Sequence, residues 1–206
     1  MKKDGLIYFI GGINGSGKSS IINAISERNR EFESYHGSVR FMEWLKIKPG
    51  DYPSLWKLSD DFKNVELDKM IRFAVNERAK SSRSLLIDGH YLNLRNGEVS
   101  NATGDWISVM DAIFLISADS REIFERLEND FRISGRERGI FREGAGEKEM
   151  ISEIDRYQNL SRQRVIELSR IYKIPYYEIV NNDGNQENAV DKFISIHTNL
   201  RNHYSH

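Results

Sequence analysis

The sequence predicts an α/β protein built on a five-stranded parallel sheet flanked by helices, with two inserted segments. Three observations carry this reading. Short apolar runs rich in β-formers alternate with amphipathic helical stretches, the order that gives a parallel sheet with right-handed crossovers. The first run passes straight into a glycine-rich loop and then a helix. A later run ends in an acidic residue, which places that acid on the carboxyl edge of the sheet, where open α/β folds bind their ligands.

Composition bounds the problem. At 206 residues and 39% hydrophobic content, residues 1–206 suit one domain with one core. Thirty Lys+Arg against 31 Asp+Glu leave a net charge of -1, so neither nucleic acid nor an anionic membrane is an expected partner, and phosphate recognition has to be local. No cysteine is present, which excludes disulfides and thiolate metal sites. The apolar run near the start spans about six residues, shorter than the roughly 7–15 of a signal peptide, and no run approaches the ~20 of a membrane span. A cytoplasmic protein is expected, with its oligomeric state left open.

Residues 6–10, LIYFI, read as a buried parallel strand. Residues 18–28 read as a helix with Ile21, Ile22 and Ile25 on one face. Between them, Gly12-Ile13-Asn14-Gly15-Ser16-Gly17-Lys18-Ser19 is a complete G-x-x-x-x-G-K-[ST] motif in the strand–loop–helix context that it needs. Glycines allow positive φ and close approach, so successive amides converge on an anion at the positive end of the helix. The expected ATP-binding set is Gly12, Asn14, Gly15, Ser16, Gly17, Lys18, Ser19 and Ser20. Lys18 brings a movable charge to the β and γ phosphates, and the Ser19 hydroxyl is a ligand for Mg²⁺, a hard cation that takes oxygen donors. This is the phosphate cradle of a P-loop NTPase.

Residues 36–83 form a long insert whose second half is an amphipathic helix, with Leu67, Met70, Ile71 and Ala74 at i, i+3, i+4 and i+7. An acceptor pocket is expected there. Residues 84–90 form the next strand, with Asp88 at its end as either the Mg²⁺-water partner of the P-loop or a cap, and His90 as either an acceptor-orienting or a packing residue. Residues 111–116 are a buried strand, followed by Asp119-Ser120-Arg121-Glu122 as a helix start. The segment 132–148 is rich in arginine and glycine, and is either a solvated loop or a lid over transferring phosphates; the lid is placed at 130–147. A long helix follows over 149–173, with Ile154, Tyr157, Ser161, Val165, Leu168 and Tyr172 on one face. Then come a strand at 176–180, a turn at 181–184 and a last helix. Four strands receive residues in this way and the fifth does not. His197, His203 and His206 lack the carboxylate or cysteine company of a metal site.

GGINGSGKSS, SYHGSVRFMEW, LLIDGH, ERLENDFR with its arginine-rich sequel, IDRYQNLSR and EIVNNDG stand in the order and approximate spacing of one known family. In these segments the chain resembles the archaeal-type adenylate kinases, a P-loop nucleoside monophosphate kinase-like family. The resemblance implies a five-stranded nucleotide kinase fold, ATP with Mg²⁺ at the P-loop, acceptor binding in the insert and a lid. It implies that Gly37 and Ser38 line the acceptor site together with His90, that Arg126 lies near the donor base, and that Arg136, Arg138 and Arg162 face the phosphates as catalytic residues beside Lys18 and Asp88. Where the family places an arginine in the insert, this chain has Trp56-Lys57, so AMP is expected to be a weak acceptor.

Three functions follow from these residues. The first is ATP-dependent phosphoryl transfer to a nucleoside monophosphate, which depends on positioning and charge neutralisation and needs no strong base. The second is transfer to a hydroxyl of a small molecule or of a nucleic-acid end, which needs a proton acceptor; Asp88, Asp60 and Asp61 are the candidates. The third is a slow ATP-binding switch.

Overall fold

A computed structural model describes residues 5–78, 81–95, 98–134 and 145–204. Strand β1 (Ile7–Gly11) is buried at every position. Its side chains alternate between two cores. Tyr8 and Ile10 meet Ile21, Ile22 and Ile25 of α1 (Lys18–Arg28) and Val190 and Phe193 of α7 (Gln186–Tyr204). Ile7 and Phe9 meet Met70 and Ile71 of α4 (Asp60–Arg78) and Val165 and Leu168 of α6 (Glu147–Tyr172). A strand covered on both faces reads as a continuous apolar run, which is why LIYFI is so legible.

The main sheet has the order β2-β3-β1-β6-β7, and every pairing in it is parallel, with β2 at Phe32–His36, β3 at Ser84–Gly89, β6 at Ala112–Ser117 and β7 at Tyr176–Val180. The unplaced fifth strand is β2. Only its first residue is buried, so FESYH carries no apolar run, and it is an edge strand paired on one side to β3.

The insert 36–83 consists of α2 (Gly37–Trp44), the short α3 (Tyr52–Trp56) and α4. After β3 the chain forms an antiparallel hairpin, β4 (Leu92–Arg95) with β5 (Glu98–Asn101), and then a 3₁₀ turn over Asp105–Val109. Leu94 and Val99 of the hairpin pack on a third cluster made by Ile123, Phe124 and Leu127 of α5 (Ser120–Ser134) and Ile154 and Tyr157 of α6. The segment expected as a lid, 130–147, has helical ends: α5 runs to Ser134 and α6 begins at Glu147. Its centre, including Arg136 and Arg138, lies outside the described residues. No helix among the described residues is long and apolar enough to cross a membrane.

His197 joins the first strand to the last helix. It is 3% exposed, its Nδ1 lies 2.7 Å from the Tyr8 hydroxyl and its Nε2 3.3 Å from Glu31 Oε1. A carboxylate only accepts, so Nε2 carries the proton and Nδ1 accepts from Tyr8. Burial pushes the Tyr8 phenol up and the His197 imidazole down to about 4. The unfolded chain therefore binds the extra proton first as pH falls. His197 gives its full contribution above about pH 6.5 and loses it between about 6.5 and 4, by at most ~1.4 kcal/mol per pH unit. Urea midpoints followed across this window should fall with pH in the wild type, and His197→Gln should flatten that slope. A slope unchanged by the substitution excludes His197 as its source.

Candidate active site

The P-loop leaves β1 at Gly11 and turns through Gly12, Gly15 and Gly17 at φ of 154°, 81° and 85°, a region that side chains rarely adopt. Each of the three is also crowded from outside the loop. A Cβ on Gly12 would stand 2.4 Å from the Ile116 carbonyl oxygen, one on Gly15 2.9 Å from Leu127 Cγ, and one on Gly17 2.1 Å from Asn181 Nδ2. Helix α1 starts with Gly17 as its N-cap and has no acidic residue in its first turn, so its positive end carries no side-chain countercharge of its own. Lys18 is 9% exposed and donates from Nζ to the Ile13 carbonyl at 2.8 Å; the Ser16 hydroxyl donates to the same oxygen at 2.9 Å. Ser19 and Ser20 are exposed on the first turn and Asn14 is half-buried.

Arg126 stands beside the loop, and its contacts show how it is held. It donates to the carbonyls of Gly15 at 3.2 Å and Asn181 at 2.9 Å, and pairs with Glu122 and Asp183. Asn181 donates from Nδ2 to the Ser16 carbonyl at 3.0 Å. The turn after β7 is thereby fastened to the P-loop from two sides.

The end of β3 divides its polar groups between two neighbours. His90 Nδ1 lies 2.8 Å from the Gly12 carbonyl, so this ring nitrogen is held on the P-loop backbone. Asp88 takes the cap role. Its Oδ1 accepts from the Gly37 amide at 2.7 Å, the first residue of α2, whose own N-cap residue His36 makes no side-chain cap bond. Its Oδ2 lies 3.2 Å from His36 Nδ1. Gly37 is required by close approach, since a Cβ there would sit 2.3 Å from the Asp88 carbonyl oxygen. Ser38 is exposed on the first turn of α2.

Arg162 is held by side chains of α6 and β7. It forks onto Glu178 of β7 at 2.9 and 2.6 Å and donates to Asn159 at 2.7 Å. The pairing holds the Glu178 carboxyl below its usual range. The Glu178 carboxylate fills the arginine's two parallel donors. Both groups line a cleft of about 640 Å³ together with Ser117, Asp119, Asp155 and Gln158. That cleft lies on the α6 side of β7, because Tyr177 and Ile179 turn to the α1 side and Glu178 to the other. Gln158 is buried and clamps Ala118, accepting from its amide at 3.1 Å and donating to its carbonyl at 2.9 Å.

Three residues of the site had not been singled out. Tyr91 is fully buried, donates to the Phe114 carbonyl at 2.8 Å, and lies where a Cβ on Gly11 would come within 2.2 Å of its ring. It supports the loop from below. Its signal was its place directly after the Asp88-Gly89-His90 triplet. Asn181 read only as a turn residue, and His36 as part of an insert.

The crowding at Gly12 gives a direct test of the cradle. Gly12→Ala should lower the melting temperature and abolish ATP binding together, because the methyl meets backbone of β6 and not a flexible side chain. Calorimetric titration with ATP and a thermal melt read the two effects. Wild-type affinity in the variant would show that the loop does not hold the nucleotide.

A family model described as an AAA domain matches residues 11–143. No curated protein matches the chain. Among solved structures, shikimate kinase from Bacteroides thetaiotaomicron is similar with a TM-score of 0.56 at 14% identity, covering 93% of this chain and 97% of that one. Shikimate kinase from Acinetobacter baumannii in complex with shikimate has a TM-score of 0.58 at 11% identity, covering 96% and 95%. Likeness at this identity speaks to the fold, a P-loop kinase fold with a five-stranded parallel sheet flanked by helices. With more than half its length matched by the family model, the chain belongs to the AAA-domain family.

Proposed function

We propose that the protein is an ATP-dependent phosphotransferase whose acceptor is a hydroxyl of a small molecule. The observation that carries the first half is the P-loop itself, with three glycines at positive φ and Lys18 and Ser19 at the head of α1. Lys18 leaves the Ile13 carbonyl for the β and γ phosphates when ATP enters, and Ser19 is the hydroxyl that would hold Mg²⁺. Held there, the ion would supply charge that offsets that of the phosphates. Arg126 borders the nucleotide at the Gly15 end, and Arg136 and Arg138 would add charge to the phosphates.

The second half rests on the insert. An acceptor phosphate calls for an arginine fork. Arg40 is paired with Glu43 at 2.9 Å and Arg72 with Asp68 at 2.8 Å, while the position occupied by arginine in adenylate kinases holds Trp56-Lys57. The similar kinase named above was solved with shikimate, an alcohol acceptor. A nucleoside monophosphate acceptor is the second reading, and the shared GSV and DGH segments favour it.

A coupled ADP-release assay against shikimate, other polyols, nucleosides and nucleoside monophosphates tests the proposal. An alcohol should stimulate release, with a product phosphorus shift of an ester and not an anhydride. Lys18→Ala should lower turnover by on the order of 10²-fold or more with folding unchanged, since it removes charge that the breaking β–γ bridge needs. Unaltered turnover in that variant removes the kinase reading.

A further inference from the structure

We infer that His36, held by Asp88, is the general base that takes the proton of the acceptor hydroxyl. The inference rests on the proposed phosphotransfer to an alcohol and adds the residue which makes that reaction possible. An alcohol loses a proton as it attacks the γ phosphorus, and a positioned base contributes about 10²–10⁴-fold to such steps. A phosphate acceptor has no such need.

The geometry begins with register. His36 pairs with Asp88 across β2 and β3, and Asp88 pairs with Ile10 across β3 and β1. Residues in parallel register point to the same face, so His36 and Asp88 stand on the face of Phe32, Leu86 and Ile10, which is the face that α1 covers. Lys18 lies on the sheet-facing side of α1 with Ile22 and Ile25. The histidine is two strand spacings, ~10 Å, from the end of β1. Its side chain is 39% exposed, against 13% for Asp88. A base that must meet substrate is accessible, and its support is sheltered.

The hydrogen bonds fix the chemistry. The Asp88 carboxylate only accepts, so His36 Nδ1 carries the proton and, in the neutral ring, Nε2 carries the lone pair. The same carboxylate is anchored through Oδ1 by the Gly37 amide, which stops it from rotating away. Of the charged groups nearby, Arg40 on α2 lies over the Tyr35 ring and pairs with Glu43, and Lys18 on α1 bonds the Ile13 carbonyl. In the reaction, the alcohol proton passes to Nε2 as its oxygen forms a bond to the γ phosphorus and the bond from that phosphorus to the β–γ bridging oxygen breaks. ADP leaves with the electron pair. The imidazolium, balanced by Asp88, then returns its proton to solvent.

Asp88→Asn is the informative variant. Its amide oxygen still accepts from Gly37, so the amide nitrogen must face His36 Nδ1 and donate to it, which moves the ring proton to Nε2 and removes the base. Long-range proton–nitrogen NMR on the full chain, at mildly alkaline pH where imidazole is neutral, should show the Nδ1–H tautomer for His36 in the wild type and the Nε2–H tautomer in Asp88→Asn. With the best alcohol from the acceptor panel, His36→Gln and Asp88→Asn should each lower kcat by about 10²-fold or more with the KM for ATP unchanged, and added imidazole should restore part of the His36→Gln loss. An Nε2–H tautomer in the wild type overturns the proposal, as does kcat in His36→Gln within twofold of wild type. If only nucleoside monophosphates stimulate Lys18-dependent ADP release, the base has no proton to take, and this proposal falls while phosphotransfer stands. If no acceptor stimulates Lys18-dependent release, both fall.

Discussion

The three glycines of the P-loop touch three different parts of the molecule, and this contact constrains everything around them. Gly12 abuts the backbone of β6, Gly15 abuts α5, and Gly17 abuts the turn that follows β7. A loop that must offer bare amides to an anion has no side chains with which to hold itself in place, so its shape is imposed from outside. Arg126 and Asn181 complete that enclosure by taking the carbonyls of Gly15 and Ser16. The cradle is a product of tertiary packing more than of the motif.

The end of β3 has a comparable role on the other side of the site. Within three residues it presents one carboxylate to the insert and one imidazole to the loop, and the following tyrosine passes beneath β1. Because β3 lies between β1 and β2, a shift in its register would displace the donor and acceptor sides together.

Elements buried on both faces were legible in the sequence, since burial alone makes an apolar run: β1, β3 and β6 could be read directly, and α6 could be read from its one-sided periodicity. β2 was hidden because an edge strand with one buried position carries no such run. The hairpin β4–β5 did carry a signal, an Asn96-Gly97 pair between short alternating segments, which is a strong local mark of a two-residue turn. The P-loop set was legible because its chemistry is local in sequence. The partners of Asp88 and Arg162 were not, because each is chosen by competition among groups brought together by strand order: Glu178 is 16 positions from Arg162 and Gly37 is 51 from Asp88. Spacing identifies the residues able to bind a phosphate, and packing decides which of them are already occupied.

The bond between Tyr8 and His197 spans 189 positions of the chain. β1 sits at the centre of the sheet, yet neither of its strand neighbours is synthesised until residues 84 and 112 emerge, and the helix carrying His197 comes last. At ordinary synthesis rates this leaves β1 waiting for about 10–40 s. Such a chain folds late and as a unit, with a high share of distant pairings and a correspondingly slow approach to the native state. During that interval the cover for LIYFI falls to α1, the amphipathic segment close behind it, so the helix that carries Lys18 is also the first shelter of the nascent strand.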